Sequence, residues 1–187
     1  MTGLDPAAAM LERGKKKPHG HKIKWIQATA QDFTSEKRFD LVIMTGHAFQ
    51  TLQDDVDVVA ALKNVRQHLK PGGRFVFESR NPNIDWKAQW DYDMDVTLPS
   101  GAVHESRRFI FMQDSLMTFD LLYTFPDETL TSRSILRFAT HTEIKNMLEA
   151  VGLQIEKTEG DWDGQAFNES HSPEMIFTAV PADRTVF

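Results

Sequence analysis

Two hydrophobic periods run along this chain, and the places where one gives way to the other mark its elements. From Phe39 to Glu78 the pattern reads strand, helix, strand. Phe39-Asp40-Leu41-Val42-Ile43-Met44 is a short apolar run, which predicts a strand buried on both faces in a parallel sheet. Asp54 and Asp55 follow as N-capping carboxylates. Val59, Leu62, Val65 and Leu69 then recur at three- and four-residue spacing and form one apolar helical stripe. Pro71-Gly72-Gly73 stops that helix, because proline cannot continue it and glycine accepts a left-handed turn. Arg74-Phe75-Val76-Phe77-Glu78 resumes an extended run. Such a crossover builds α/β sheets that bind ligands beyond the carboxyl ends of their strands.

Upstream, Asp5 and Pro6 predict a helix start, and the segment through Ala7, Met10 and Leu11 is helical, ending at Lys15-Lys16-Lys17. His19-Gly20-His21 is a turn, Ile23 to Ile26 a second short strand, and Ala28 to Glu36 a polar loop. Asn81-Pro82-Asn83 is a turn signal, and Trp86 and Trp90 fall in a loop or short helix. Between about residues 95 and 139 the period changes to two. Met117, Phe119, Leu121, Tyr123 and Phe125 share one face of a long strand, with Phe109 and Phe111 on the strand before it and Leu130 to Phe138 on the one after. An antiparallel meander of three or four strands follows from this. Thr140 and Glu143 have the spacing of a capping box before the stripe Ile144, Met147, Leu148 and Val151, which Gly152 ends. Leu153 to Lys157 and Met175 to Val180 are two final strands.

The length of 187 residues suits one full-sized core, and 41% hydrophobic with 26% charged residues is the composition of an ordinary globular protein. No apolar run reaches the length of a membrane span. The chain has no cysteine, which excludes disulfides and thiolate chemistry and agrees with a cytoplasmic location. A net charge of -6 argues against nucleic acid as the main partner. The histidines His19, His21, His104, His141 and His171 lack metal-ligand spacing on any one element, and Asp161-Trp162-Asp163-Gly164 offers too few oxygens for a cation cage, so no metal is expected.

Four segments together resemble class I S-adenosylmethionine-dependent methyltransferases of the small-molecule type. Thr2-Gly3-Leu4-Asp5-Pro6 with Met10-Leu11 is similar to the end of that family's second strand and the helix after it. Ala28-Thr29-Ala30-Gln31-Asp32-Phe33 looks like the loop after its third strand. Phe39 to Gly46 resembles its fourth strand and turn, and Leu69 to Phe75 the approach to its fifth. The resemblance implies a Rossmann-like α/β sheet, mostly parallel with the last strand antiparallel. It divides the chain into a core of residues 1–80 and 140–187 and an antiparallel β insertion of residues 81–139, a lid or dimer element of the same domain. It also implies S-adenosyl-L-methionine as cofactor, a small-molecule acceptor and no membrane, and the meander suggests a homodimer.

Carried over residue by residue, Asp5 takes the place of the acid that accepts from both ribose hydroxyls, with Pro6 beside it. Thr29 stands where relatives present an acidic residue to the adenine amino group, a departure that weakens the contact, while Ala30 and Gln31 keep the loop's backbone geometry. Met44, Thr45 and Gly46 match the turn beside the methionine part of the cofactor. Methyl transfer asks the protein to position an acceptor and sometimes to take its proton. His47 after the fourth strand and Arg80 after the fifth are the candidates, His47 as a base or a plain turn histidine, Arg80 as an anion binder or an ordinary ion-pair partner. Trp86, Trp90 and Trp162 could wall an apolar pocket. Family members open with a strand and a glycine-rich turn, and no Gly-x-Gly-x-Gly occurs here. The expectation is therefore a sheet missing its first strand, an N-terminal truncation with cofactor binding weakened or lost. A late start codon, a natural truncation and an engineered fragment all stay open. So do two other classes: a non-catalytic methyltransferase-like protein that acts by association, and a dinucleotide oxidoreductase on the same type of sheet.

Overall fold

The computed structural model describes residues 1–99 and 101–182. Strand β1 (Thr2–Asp5) pairs in parallel with β2 (Lys24–Gln27), and helix α1 (Ala8–Lys15) connects them. Strand β3 (Phe39–Met44) leads through helix α2 (Asp55–His68) to β4 (Leu69–Arg80), its parallel partner. A short helix α3 (Trp86–Trp90) opens the meander β5 (Tyr92–Leu98), β6 (Gly101–Gln113), β7 (Leu116–Thr124) and β8 (Thr129–Arg137), antiparallel throughout. Helix α4 (His141–Ala150) then leads into β9 (Leu153–Glu159) and β10 (Glu174–Pro181). The central sheet has the order β3-β4-β10-β9, with β10 antiparallel to both neighbours. The inverted last strand expected from the sequence is therefore present.

Local chemistry sets the boundaries. Asp54 caps α2 by accepting from the Asp57 amide at 2.8 Å. Thr140 and Glu143 close a full capping box on α4. The start of α1 differs from expectation: Asp5 Oδ1 accepts from the Ala7 amide at 2.7 Å, and the helix begins at Ala8, beyond Pro6. The Pro71-Gly72-Gly73 segment also does more than stop a helix. Helix α2 ends at His68, and the three residues form an irregularity inside β4, where the pairing jumps from Phe39–Leu69 to Leu41–Arg74. Gly72 takes φ +72, and a Cβ on Gly73 would lie 2.9 Å from the Phe39 carbonyl oxygen, so both glycines are required by the bend.

The core lies on one face of the central sheet. Phe75 and Phe77 of β4 and Met175 and Phe177 of β10 pack there against Val58, Ala61, Leu62 and Val65 of α2 and Ile144 and Leu148 of α4. Phe77 stacks on Phe177 with ring centroids 4.9 Å apart. The buried stripe of α2 begins at Val58, one position before the expected Val59, because the sheet meets the helix slightly round its circumference. A smaller cluster of Trp90, Met117, Phe119 and Phe138 joins α3 to the meander.

Strand β3 departs most from its sequence pattern. It is not buried on both faces: Leu41 is 56% and Ile43 63% exposed, while Val42 and Met44 pack on the core. The apolar run is satisfied on the side of α2 alone, and no described residue pairs β3 with β1. The predicted single layer is thus two sheets among the described residues, β1-β2 and β3-β4-β10-β9.

Two tests follow from these packing assignments. In urea denaturation Phe77→Ala should cost about 3–5 kcal/mol through the cavity it leaves, whereas Ile43→Lys should stay within about 0.5 kcal/mol because its site is open. On the meander, Asp95 and Asp93 hold the His104 imidazolium and raise its pKa above the ordinary value. A raised folded-state pKa stabilises fully below the unfolded value near 6.5 and is lost as pH climbs through the folded one. Thermal melts of wild type and His104→Gln should accordingly differ at pH 5.5 and converge by pH 9.

Candidate active site

Parallel strands bring their carboxyl ends to one rim, and the sequence places its polar residues there. The turn after β3 is built from two consecutive left-handed residues, Gly46 at φ 73 and His47 at φ 58. A Cβ on Gly46 would meet nothing within 4 Å, so the glycine is required by its backbone angle rather than by crowding from the protein. The turn is held from β4, where Glu78 Oε1 accepts from the His47 amide at 2.7 Å. His47 reaches in turn across β4 to β10, and its Nε2 lies 3.0 and 3.1 Å from the Glu174 carboxylate oxygens.

Arg80 stands opposite Glu174 in the β4–β10 register. Its Nη1 donates to Gln50 Oε1 at 3.0 Å, and its guanidinium carbon lies 5.6 Å from the Trp86 ring centroid and 5.1 Å from that of Trp90. Burial lowers its pKa from the ordinary value, while the nearby Glu174 and Glu78 carboxylates act in the other direction. Gln50, 1% exposed, donates through Nε2 to the Arg137 carbonyl at 2.8 Å. One amide thus ties the end of the core sheet to the last strand of the meander.

Asp5 is the last residue of β1, paired with Gln27, so its carboxylate stands at the carboxyl rim of that parallel pair. Oδ1 is taken by the Ala7 amide, and the Pro6 carbonyl accepts from the Gln27 side chain at 3.1 Å. In the following loop the Thr29 amide and hydroxyl donate to Asp32 Oδ1 at 2.7 and 2.8 Å, so the loop carries a carboxylate after all, three residues beyond the expected position. The Ala30 carbonyl is anchored by Asn64 of α2 at 2.9 Å, with Gln31 beside it half-buried. Met44 packs on the core and Thr45 is exposed. Trp86 and Trp90 pack with Phe119 and Phe138 in the smaller core cluster, against the Arg80 guanidinium, whereas Trp162 is 61% exposed and does not join them.

Three important residues escaped the sequence reading. Glu78 closes an apolar run, and a carboxylate at the end of a buried strand is itself a signal. Gln50 and Glu174 gave no local sign, because their partners lie 30 and 127 residues away.

Comparison with known proteins agrees with this architecture. Residues 1–73 match the family described as Methyltransferase domain. The chain is 24% identical over 181 residues to the cypemycin N-terminal methyltransferase of a Streptomyces species, covering 94% of this chain and 72% of that protein. The fold superposes on a S-adenosylmethionine-dependent methyltransferase from Clostridium acetobutylicum with a TM-score of 0.83 at 16% identity, covering 97% of this chain and 74% of the other. It superposes on the sugar N-methyltransferase KedS8 from a Streptoalloteichus species at 0.80 and 16% identity, covering 97% and 71%.

Strand order, inverted final strand and rim define a Rossmann-like methyltransferase fold. Residues 1–73 match the Methyltransferase domain family, and the chain shares the fold of methyltransferases whose cofactor is S-adenosyl-L-methionine. Its residues fit that group at two places: the open space in front of Gly46, and the Asp5 carboxylate, which has one oxygen engaged and the other with no side-chain or backbone partner among the described residues. No described helix is long and apolar enough to cross a membrane.

The Gln50 tie makes a direct prediction. Gln50→Leu leaves the Arg137 carbonyl and the Arg80 guanidinium without their partner and should cost about 2–4 kcal/mol in urea denaturation.

Proposed function

We propose that the chain transfers the methyl group of S-adenosylmethionine to a nitrogen of a small molecule. The observation that carries this reading is the orientation of His47. Its Nε2 faces the Glu174 carboxylate, which fixes the proton on Nε2 and leaves Nδ1 with the free lone pair. That arrangement suits a group that takes a proton from an amine at the rim of the sheet. One relative is named an N-terminal methyltransferase and another a sugar N-methyltransferase, which supports a nitrogen acceptor.

The bound cofactor supplies an electrophilic methyl group on a sulfonium. Asp5, Pro6, the Thr29-Ala30-Gln31 loop with Asp32, and the Met44-Thr45-Gly46 turn would hold it. Asp5 suits hydroxyl donors because an ionised carboxylate accepts two at once. His47 takes the proton that the acceptor nitrogen releases, and Glu174 stabilises the imidazolium formed. Arg80 is occupied by Gln50 and two indoles, so it positions the tryptophan layer rather than binding an anion of the acceptor. The segment of residues 81–139 acts as a lid over the acceptor. Association through the uncovered face of β3 is a second reading, favoured by the exposure of Leu41 and Ile43. Sedimentation of a dimer lost on Ile43→Lys would support it, and a monomer at micromolar concentration would end it.

Calorimetry and a transfer assay with labelled cofactor and an amine panel test the main proposal. Asp5→Ala should weaken cofactor binding about tenfold or more. His47→Asn, which tolerates the left-handed turn, should leave cofactor affinity within about threefold and lower kcat by about 10²–10⁴. Transfer to hydroxyl acceptors only would contradict the nitrogen assignment.

A further inference from the structure

Glu78 is the only fully buried carboxylate among the described residues, 2% exposed. One oxygen holds the His47 amide; the other, Oε2, is buried and has no hydrogen-bond partner among the described residues. A sealed, unpaired carboxylate oxygen is costly to the folded chain, so it asks for a donor. Two donors of the rim, Arg80 and His47, are engaged elsewhere, and the buried donors Ser79 Oγ, Trp90 Nε1 and Arg137 Nε and Nη1 make no hydrogen bond to it. Arg80 gives Nη1 to Gln50 and lays its guanidinium against Trp86 and Trp90, and His47 turns Nε2 to Glu174. Arg80 therefore supplies charge near Glu78 without a hydrogen bond.

Glu174 and Glu78 both lie near Arg80 as opposite charges, and Arg107, 4.1 Å from the Trp90 ring centroid, is a second cation beside it. A ligand with one compact cationic donor group completes the hydrogen bonding at Oε2. Beside this point the Gly46-His47 turn is open, since a Cβ on Gly46 would meet nothing within 4 Å.

We propose that Glu78 Oε2 is the recognition point for an ammonium group of a bound ligand, at the rim between the Gly46-His47 turn and the Arg80–tryptophan layer. The inference rests on the methyltransferase reading, in which two ammonium groups come to this rim: the α-ammonium of the cofactor's amino-acid part and the protonated amine of the acceptor. In the second case the bound ammonium must give up one proton, to His47 Nδ1, before its nitrogen lone pair can attack the methyl carbon while the carbon–sulfur bond breaks and its electron pair stays on sulfur.

The test compares wild type with Glu78→Gln, whose amide oxygen can still accept from the His47 amide. Unliganded Glu78→Gln should melt about 2–4 °C higher, because a buried unpaired charge has gone. Titration with S-adenosylhomocysteine and with its analogue lacking the α-amino group identifies one source. A loss of about 10- to 100-fold for the former and none for the latter assigns Glu78 to the cofactor's ammonium. Unchanged S-adenosylhomocysteine affinity, with loss of the thermal stabilisation that propylammonium chloride gives wild type over sodium chloride, assigns it to the acceptor. Glu78→Asp, which keeps the charge, should retain part of whichever response is lost and covers the case in which the glutamine variant does not fold. If wild type fails to bind S-adenosylhomocysteine yet its propylammonium response is lost in the variant, the cofactor reading falls and the ammonium site stands. Responses identical in wild type and both variants, or a Glu78→Gln chain that is less stable and equally responsive, would overturn the proposal.

Discussion

The hydrogen bond from the His47 amide to Glu78 is the constraint on which the rim of this protein depends. Two successive left-handed residues make an expensive turn, and Glu78 holds it closed from the next strand. With the turn fixed, His47 is carried across β4 to Glu174. With Glu174 so occupied, Arg80 in the register opposite it is directed to Gln50 and the tryptophans. Glu78, Arg80 and Glu174 on two adjacent strands and His47 on the turn are thus linked through a single backbone donor.

Packing gives the same arrangement its rigidity. The α2 and α4 face of the central sheet is filled with stacked phenylalanines, and β4 and β10 are held against it by Phe77 and Phe177. Because successive residues of a strand alternate in direction, burying Phe75, Phe77 and Ser79 on that face presents Val76, Glu78 and Arg80 on the other. The polar site is the reverse side of the core. Gln50 extends the ordering to the meander, so the aromatic layer around Trp90 and the sheet rim keep a fixed relation.

The sequence made the elements legible wherever local chemistry decides them. Strand β3 runs from Phe39 to Met44 as its apolar run indicates, Asp54 and the Thr140–Glu143 pair cap their helices, and period-two alternation marks the meander. Asp5 stands at the end of a parallel strand and His47 just past another, as their neighbours suggested. What could not be read were the properties set by distant partners. Leu41 and Ile43 look like core residues, and only the absence of anything packed against them in the described structure makes them exposed. Glu78 looks like the end of a strand until its two oxygens are seen in different situations. Trp162 shares its residue type with Trp90 but sits on a turn with nothing to cover it.

Hydrogen–deuterium exchange with and without S-adenosylhomocysteine tests the central claim most directly, because it reports where a ligand meets the backbone without requiring the acceptor. Slowed exchange confined to residues 2–7, 28–33 and 44–50, with β9 on the far edge of the sheet unchanged, is the predicted result. Protection that falls on β9 or the outer strands of the meander instead, or none anywhere at saturating ligand, would contradict the account.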